Sequence, residues 1–152
     1  MKHTNGFTLL ETLVYIALLG ILITGVFSVA YNLMEGTARI NKKILLHEEA
    51  TFILRKIGWA IADATSITIP SANVLSINKI HFAQNPIIFD ESGGIVRITR
   101  GSGIAIPLNS VRAPVEDLSF THVPRSGIKP EGVQVILSIH GQQFEALWYL
   151  KQ

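Results

Sequence analysis

The sequence contains no cysteine, so the chain can form neither a disulfide bond nor a thiolate metal site. Proline is unevenly placed: none of the six prolines lies in the first 69 residues, so no proline kinks or ends a helix there. The formal net charge is only +2, which is too small to indicate nucleic acid or an acidic lipid surface as a binding partner.

Formal charge is missing from one long stretch near the N-terminus. The 23 residues from Thr12 to Met34 carry none. At about 1.5 Å of helical rise per residue this stretch reaches roughly 34 Å. Because the hydrocarbon core of a bilayer is about 30 Å thick, the stretch predicts a membrane-spanning helix.

Glu11 is the only charged residue between Lys2 and Glu35. An ionised carboxylate in an apolar membrane helix costs about 2.5 to 3.5 kcal/mol even on permissive scales, so such a residue usually has a partner or a function. One explanation is local, since Thr8 and Glu11 fit the S/T-x-x-E capping box. In that motif the Glu11 carboxylate accepts a hydrogen bond from the Thr8 amide and offsets the positive helix N-terminus.

The residues in front of Glu11 form a recognisable pattern. Residues 1–5 are a short polar leader with one lysine, and GFTLLE follows, with Gly6, Phe7 and Glu11 ahead of the apolar stretch. This pattern resembles the class III signal of the type IV pilin and pseudopilin family. The resemblance implies that a prepilin peptidase cuts between Gly6 and Phe7 on the cytoplasmic side and methylates the new amino group of Phe7.

The resemblance also implies a partner for Glu11, namely the N-terminal ammonium of a neighbouring subunit. Two opposite charges attract strongly in a medium of low dielectric constant, whereas either alone is costly, so assembly is favoured over the lone subunit. Pairing of Glu11 with the Phe7 amine of the same chain is the rival arrangement, because the two positions are one helical turn apart.

Two features bear on orientation and processing. Lys2 precedes the apolar stretch and three basic residues follow it within ten positions, so the positive-inside rule alone would place the C-terminal part in the cytoplasm. The leader implies the opposite: a single-pass protein of the bacterial inner membrane whose C-terminal domain lies in the periplasm or outside.

Ser28-Val29-Ala30 suggests an ordinary signal-peptidase site, which would release a soluble exported domain near Tyr31. We rank this second, because the stretch is longer than a usual signal core and carries Glu11.

Beyond the membrane stretch the periodicity is helical to about residue 66. Apolar residues recur there mainly at steps of three, four or seven, at Ile40, Ile44, Leu45, Phe52, Ile53, Ile57, Ala60, Ile61 and Ala64. We therefore predict four segments: a cleaved leader (1–6), a transmembrane and assembly helix (7–34), an amphipathic outer half of the same helix (35–69) and a globular domain (70–152).

The globular domain has the pattern of an antiparallel sheet. Short β-branched runs are separated by turn signals at 91–94, 101–103 and 141–142. The predicted strands are 74–82, 86–90, 95–99, 104–108, 118–123, 133–140 and 144–150. A helix pattern followed by consecutive strands indicates an α+β, pilin-like fold, in which the long helix continues from the membrane and packs on the sheet. Residues 124–132 are predicted to be an exposed loop.

Three segments of this layout, 52–67, 115–123 and 132–150, resemble the J-type minor pseudopilins of type II secretion systems and related minor pilins. The resemblance implies a non-enzymatic subunit that assembles with other major and minor pseudopilins at the tip of a type IV-like filament for protein secretion. Its other partners would be the lipid bilayer, the prepilin peptidase, and the inner-membrane assembly platform with its ATPase. The alternative machines are a type IV pilus and a competence system for DNA uptake.

Other classes of function find little support. His47-Glu48-Glu49 begins like the zinc motif H-E-x-x-H but lacks the second histidine. Asp90 and Glu91 are too few for calcium, which takes six to eight oxygen ligands. We therefore predict no catalytic residue, no metal and no cofactor.

Nucleic acid is not an expected partner either. Strand alternation places Arg97 and Arg100 on opposite faces, which leaves no continuous basic track. Trp59, Trp148 and Tyr149 are predicted to pack in the core or between helix and sheet rather than to stack on bases.

Overall fold

The structure of the chain is a computed structural model that describes residues 8–150. It contains one long helix, α1 (Leu9–Ile61), followed by eight antiparallel strands. The chain divides into two units, residues 1–43 and 44–152, so α1 contributes its first part to one unit and its last part to the other. The predicted α+β class, with a long apolar N-terminal helix ahead of antiparallel sheets, is confirmed.

The described part of the first unit is helical from Leu9 onward. Every side chain from Leu9 to Met34 is exposed. By length and composition this helix can cross a membrane. A helix that is apolar on all sides requires lipid or protein around it, which agrees with the prediction from the uncharged stretch.

The second unit contains two sheets. The first has five strands in sequential order, and the second has three in sequential order. The first comprises β1 (Ala64–Ser71), β2 (Val74–Lys79), β3 (Ile87–Ser92), β4 (Ile95–Arg100) and β5 (Ile106–Pro107), and the second comprises β6 (Val115–Val123), β7 (Gly132–Ile139) and β8 (Gln142–Tyr149). The amide of Phe120 in β6 donates to the Ala72 carbonyl at 2.7 Å, which joins the second sheet to the β1–β2 turn.

One hydrophobic core lies between the last part of α1 and both sheets. The helix contributes a stripe at steps of three and four, and the strands contribute alternate residues, as their periods require. The helical stripe is Leu46, Ala50, Ile53, Ile57, Ala60 and Ile61. The sequence also placed Ile44, Leu45 and Phe52 on this face, but all three are exposed. Apolar residues occupy more than one face of the helix here, and periodicity alone does not say which face meets the sheets.

The predicted helix is too long at its C-terminal end. Residues 35–69 were assigned to the outer half of the helix, with the helical pattern running to about residue 66, yet α1 ends at Ile61 and β1 begins at Ala64. The apolar spacing of Ile57, Ile61 and Ala64 fits a helix, but Ile67 and Ile69 alternate with polar residues and belong to a strand that pairs with β2.

The single predicted sheet is two sheets, and most strand positions are close to prediction. Six of the seven predicted strands correspond to β2, β3, β4, β6, β7 and β8, with ends that differ by a few residues. The seventh, predicted at 104–108, is reduced to the two-residue β5. Pro107 has no amide hydrogen to donate, and a proline is tolerated only at a sheet edge such as this one.

Two of the predicted turns are confirmed as tight hairpins. Gly93-Gly94 joins β3 to β4, and His140-Gly141 joins β7 to β8. Both central residues of each turn have positive φ, 62° and 79° in the first and 49° and 70° in the second. This is the type I′ geometry, whose twist matches that of the flanking strands.

The C-terminal end of α1 is bound by a lysine from the first sheet. Residues 58–61, the last turn of α1, include no basic side chain. Lys79 of β2 supplies one: its Nζ donates to the Trp59 carbonyl at 2.7 Å and lies 4.2 Å from the centroid of the Trp59 ring. A cation at a helix C-terminus satisfies a free carbonyl and offsets the negative end of the helix dipole.

Gly58 gives the second sheet close access to the same turn of α1. A Cβ at Gly58 would lie 2.7 Å from Nε1 and 2.9 Å from Cε2 of Trp148 in β8. Trp148 therefore packs directly on the helix backbone, and its predicted role in helix-to-sheet packing is confirmed.

We expect Gly58→Ala to destabilise the second unit by about 1 to 2 kcal/mol. The added methyl forces the Trp148 ring out of its position, which costs about 1 to 3 kcal/mol, and the better helix propensity of alanine returns up to about 1 kcal/mol. The measurement is urea unfolding of the full-length protein in detergent micelles, followed by near-ultraviolet circular dichroism of the tryptophans.

Gly36→Ala is the matched control, because a Cβ at Gly36 meets nothing within 4 Å. This variant should leave the unfolding midpoint unchanged or raise it. Equal midpoints for Gly58→Ala and the unmodified protein would contradict the tight contact with Trp148.

Candidate functional site

The candidate site is the N-terminal end of α1, where Thr8 caps the helix. The Thr8 carbonyl accepts a hydrogen bond from the Thr12 amide at 3.2 Å, and its Oγ1 accepts one from the Glu11 amide at 3.3 Å. These are the bonds of an N-cap residue, so the helix starts where the Thr8–Glu11 spacing predicted.

The Glu11 carboxylate does not complete the capping box. Within residues 8–150 it forms no hydrogen bond to the Thr8 amide, and its Oε1 instead accepts one from the Tyr15 hydroxyl at 3.4 Å. Hydroxyl-to-oxygen hydrogen bonds are usually 2.5 to 3.0 Å long, so this one is weak. Tyr15 is not among the predicted site residues, although its i, i+4 spacing from Glu11 places the two side chains on one helix face.

Other polar side chains of α1 satisfy themselves on the helix backbone. Each donates to the carbonyl four residues earlier: Thr12 at 3.3 Å, and Thr24, Asn32 and Thr37 at 2.8 Å. A threonine hydroxyl bonded in this way has no unsatisfied donor, and the Asn32 amide has one of its two donors satisfied. A carboxylate can only accept hydrogen bonds, so it has no equivalent way to pair with its own helix carbonyls.

The next charged residues along the helix pair with each other. Glu35 and Arg39, one turn apart, form an ion pair on an exposed surface. Glu11 is the only charged residue of the apolar segment, and within residues 8–150 it has no ion-pair partner. The site therefore presents an acceptor-only anion, with one weak hydrogen bond, on an exposed apolar helix.

Gly6 and Phe7, the predicted cleavage and methylation residues, lie outside the described residues. Their sequence context can still be compared with known families. Residues 1–27 match the prokaryotic N-terminal methylation motif. The matched stretch contains Gly6, Phe7 and Glu11. No curated protein and no solved structure matches the chain.

The methylation motif indicates a type IV pilin-like subunit that is processed by prepilin peptidase and assembles with other pilins. It points to a structural subunit rather than an enzyme. Together with the apolar N-terminal helix, the motif is consistent with a single-pass protein anchored in a membrane. The match covers 27 of the 152 residues, so these conclusions derive from the N-terminal segment.

His47, the histidine of the incomplete zinc motif, and His122 each contact another side chain. His47 packs against the Phe144 ring, with 5.5 Å between centroids, and His122 Nε2 lies 3.3 Å from Glu131 Oε2. Among residues 8–150, no three His, Asp or Glu side chains are grouped closely enough to hold a metal ion.

Asp90 and Glu91 are each used within the first sheet. Asp90 forms an ion pair with Arg97 on the neighbouring strand, and the Glu91 carboxylate accepts a hydrogen bond from the Gly94 amide at 2.7 Å. The hydrogen bond to Asp90, and then the charge of that carboxylate, raise the pKa of the Arg97 guanidinium. Arg100 lies on the other face of β4, over the Trp59 ring, so the predicted separation of the two arginines is confirmed.

Proposed function

We propose that this chain is a minor pseudopilin or minor pilin, stored in the bacterial inner membrane and incorporated into a type IV-like filament. The observation that carries the proposal is that Glu11 has no ion-pair partner within residues 8–150. It is an acceptor-only carboxylate on an exposed apolar helix, and its one hydrogen bond in the described part of the chain is 3.4 Å long. A cation placed beside such a group would stabilise it.

The cation would be generated by processing. Cleavage between Gly6 and Phe7 frees the amino group of Phe7, which is then methylated and stays positively charged. The ammonium of one subunit would pair with Glu11 of its neighbour in the low-dielectric interior of the filament. The pair is worth most where water is excluded, so it favours the packed filament over the isolated subunit.

The remaining roles follow from the layout of the chain. The apolar part of α1 would hold the subunit in the inner membrane with the two sheets in the periplasm, and the sheets would make the contacts that distinguish neighbours. An inner-membrane platform and a separate ATPase would drive extraction from the bilayer. The resemblance to J-type subunits favours a position at the tip of a secretion pseudopilus, and a type IV pilus or a competence system is the alternative machine.

Release of a soluble domain near Tyr31 is the competing hypothesis, supported by the small residues Ser28 and Ala30. Its difficulty is local structure, because the Ala30–Tyr31 bond lies in the interior of α1. Proteases cut most readily at exposed, irregular segments rather than within helices.

We expect the protein purified from membranes of its native host to begin at N-methylated Phe7. The measurement is intact mass combined with N-terminal sequencing. A start at Tyr31 would replace the proposal with a soluble exported domain. An intact Met1 would leave a plain membrane anchor and would restore the orientation given by the positive-inside rule.

A further inference from the structure

A groove of about 660 Å³ runs along the outer face of α1 in the second unit. It lies beside the end of β4 and is open to solvent. Its lining residues are Glu48, Phe52, Arg55, Lys56, Trp59 and Arg100. The five helical residues lie on the side of α1 away from the core stripe, at steps of three and four.

Two aromatic side chains form the apolar part of this groove. Phe52 is 46% exposed and Trp59 is 42% exposed, although both belong to a helix whose other face is fully buried. They are seven positions apart, so they lie on the same face. Exposed aromatic side chains bordered by arginine are typical of the centres of protein–protein interfaces.

Three of the residues that line the groove are cations, namely Arg55, Lys56 and Arg100. Lys56 Nζ lies 5.5 Å from the centroid of Phe52, and Arg100 Cζ lies 5.8 Å from that of Trp59. Within residues 8–150, neither they nor Arg55 form an ion pair. Glu48 is the single acidic residue of the lining, so the groove carries an excess of two positive charges.

Arg100 is not fully satisfied within the described part of the chain. Its Nε is buried and has no hydrogen-bond partner. A guanidinium that has lost hydration without gaining an acceptor is costly, and buried polar groups of this kind are rare in native proteins. An anion bound to the accessible amino groups of the same guanidinium would pair with its positive charge, although it would not reach Nε.

We propose that this groove binds an acidic peptide segment of a partner protein. Carboxylates of the segment pair with Arg55, Lys56 and Arg100, and an apolar side chain between them packs on Phe52 and Trp59. The groove falls in the usual volume range of binding sites, about 300 to 1,000 Å³. A peptide with acidic and apolar side chains would contact both the cations and the aromatic rings of the groove, whereas a lipid phosphate group would contact the cations alone. The inference rests on the proposed function only in naming the partner, a neighbouring filament subunit.

The experiment uses the full-length protein in zwitterionic detergent micelles and the fluorescein-labelled peptide Asp-Glu-Phe-Asp-Glu-Leu. Fluorescence anisotropy gives the Kd. We expect saturable binding that is weakened at least tenfold in the double variant Arg55→Gln/Lys56→Gln. The matched control, Arg112→Gln/Lys129→Gln, removes two exposed cations outside the groove and should change the Kd less than twofold.

Three results would overturn the proposal. One is equal binding of the amide peptide Asn-Gln-Phe-Asn-Gln-Leu, and another is an equal loss of affinity in the two double variants, which would mean attraction by net charge alone. The third is displacement of the labelled peptide by dihexanoyl-phosphatidylglycerol as readily as by unlabelled peptide, which would mean selection of an anionic lipid. Peptide binding can be measured whether or not the leader has been removed. A protein that starts at an unprocessed Met1 would therefore refute the filament role without affecting the measured Kd for the peptide.

Discussion

Glu11→Val and Glu11→Gln should be inserted into the membrane and cleaved at the leader, yet be lost from the filament. Either substitution leaves the ammonium of the neighbouring subunit without its anion. Removing one partner of a buried ion pair costs about 3 to 5 kcal/mol. Since about 1.4 kcal/mol is a factor of ten, incorporation should fall by roughly two orders of magnitude or more.

The measurement is the ratio of the protein in sheared filaments to the protein in membranes, by quantitative immunoblot in the native host. Glu35→Gln is the matched control, because Glu35 is the next carboxylate along the same helix and already pairs with Arg39 on an exposed surface. Exposed pairs contribute at most about 1 kcal/mol, so this variant should assemble normally.

Unimpaired assembly of both Glu11 variants would remove the intermolecular role of this carboxylate. Pairing of Glu11 with the amine of its own chain would then be the better account. An uncleaved Glu11 variant would instead place this residue in recognition by the peptidase.

Asn109→Ala should destabilise the second unit by about 3 to 5 kcal/mol, a large part of the 5 to 15 kcal/mol available to a typical domain. Asn109 is buried, and its side chain forms three short hydrogen bonds to the backbone. Nδ2 donates to the carbonyls of Gly94 and Ala113, each at 2.9 Å, and Oδ1 accepts from the Val96 amide at 2.7 Å.

The size of this effect comes from the groups that the substitution leaves behind. Alanine leaves the Val96 amide and the Ala113 carbonyl without their side-chain partner, and each buried backbone group left unpaired costs about 1 to 3 kcal/mol. The Gly94 carbonyl still accepts from the Val115 amide at 2.9 Å, so its loss adds less. Asn109 also connects the segment after β5 to the β3–β4 hairpin, so its loss should loosen that edge of the five-stranded sheet.

Urea unfolding of the full-length protein in micelles measures the difference. Asn78→Ala is the control: Asn78 is exposed and donates to Ser66 Oγ at 3.0 Å, and water can replace that bond. We expect this variant to lie within about 1 kcal/mol of the unmodified protein. If both variants lowered the free energy of unfolding by similar amounts, the buried hydrogen bonds of Asn109 would contribute no more than an exposed one.

The sequence predicted the features that depend on local pattern. The uncharged stretch predicted the apolar helix, and glycine in the turns located two hairpins to within one or two residues. The predicted end of α1 was wrong because Ala64 continues the helical spacing of Ile57 and Ile61, although β1 begins at that residue. The local pattern of residues does not predict that β1 pairs with β2, because the pairing is a contact between two separate segments.

The parts that could not be predicted depend on contacts between distant residues. Nothing local marks Lys79 as the side chain that binds the end of α1, or Asn109 as the centre of a buried network. At the candidate site, the charge of Glu11 in an apolar stretch and the leader in front of it were enough to predict Glu11 as a site residue. Its bond to Tyr15 was not predicted, because the Thr8–Glu11 capping box offered a different local partner for the same carboxylate.

The turn of α1 at Gly58 and Trp59 has a mechanical consequence. Trp148 of the three-stranded sheet packs on Gly58, and Lys79 of the five-stranded sheet binds the carbonyl of Trp59. A pull along the helix axis therefore loads both sheets at the same turn and divides the force between them. We therefore expect separation of this turn of α1 from the folded domain to break a contact with each sheet.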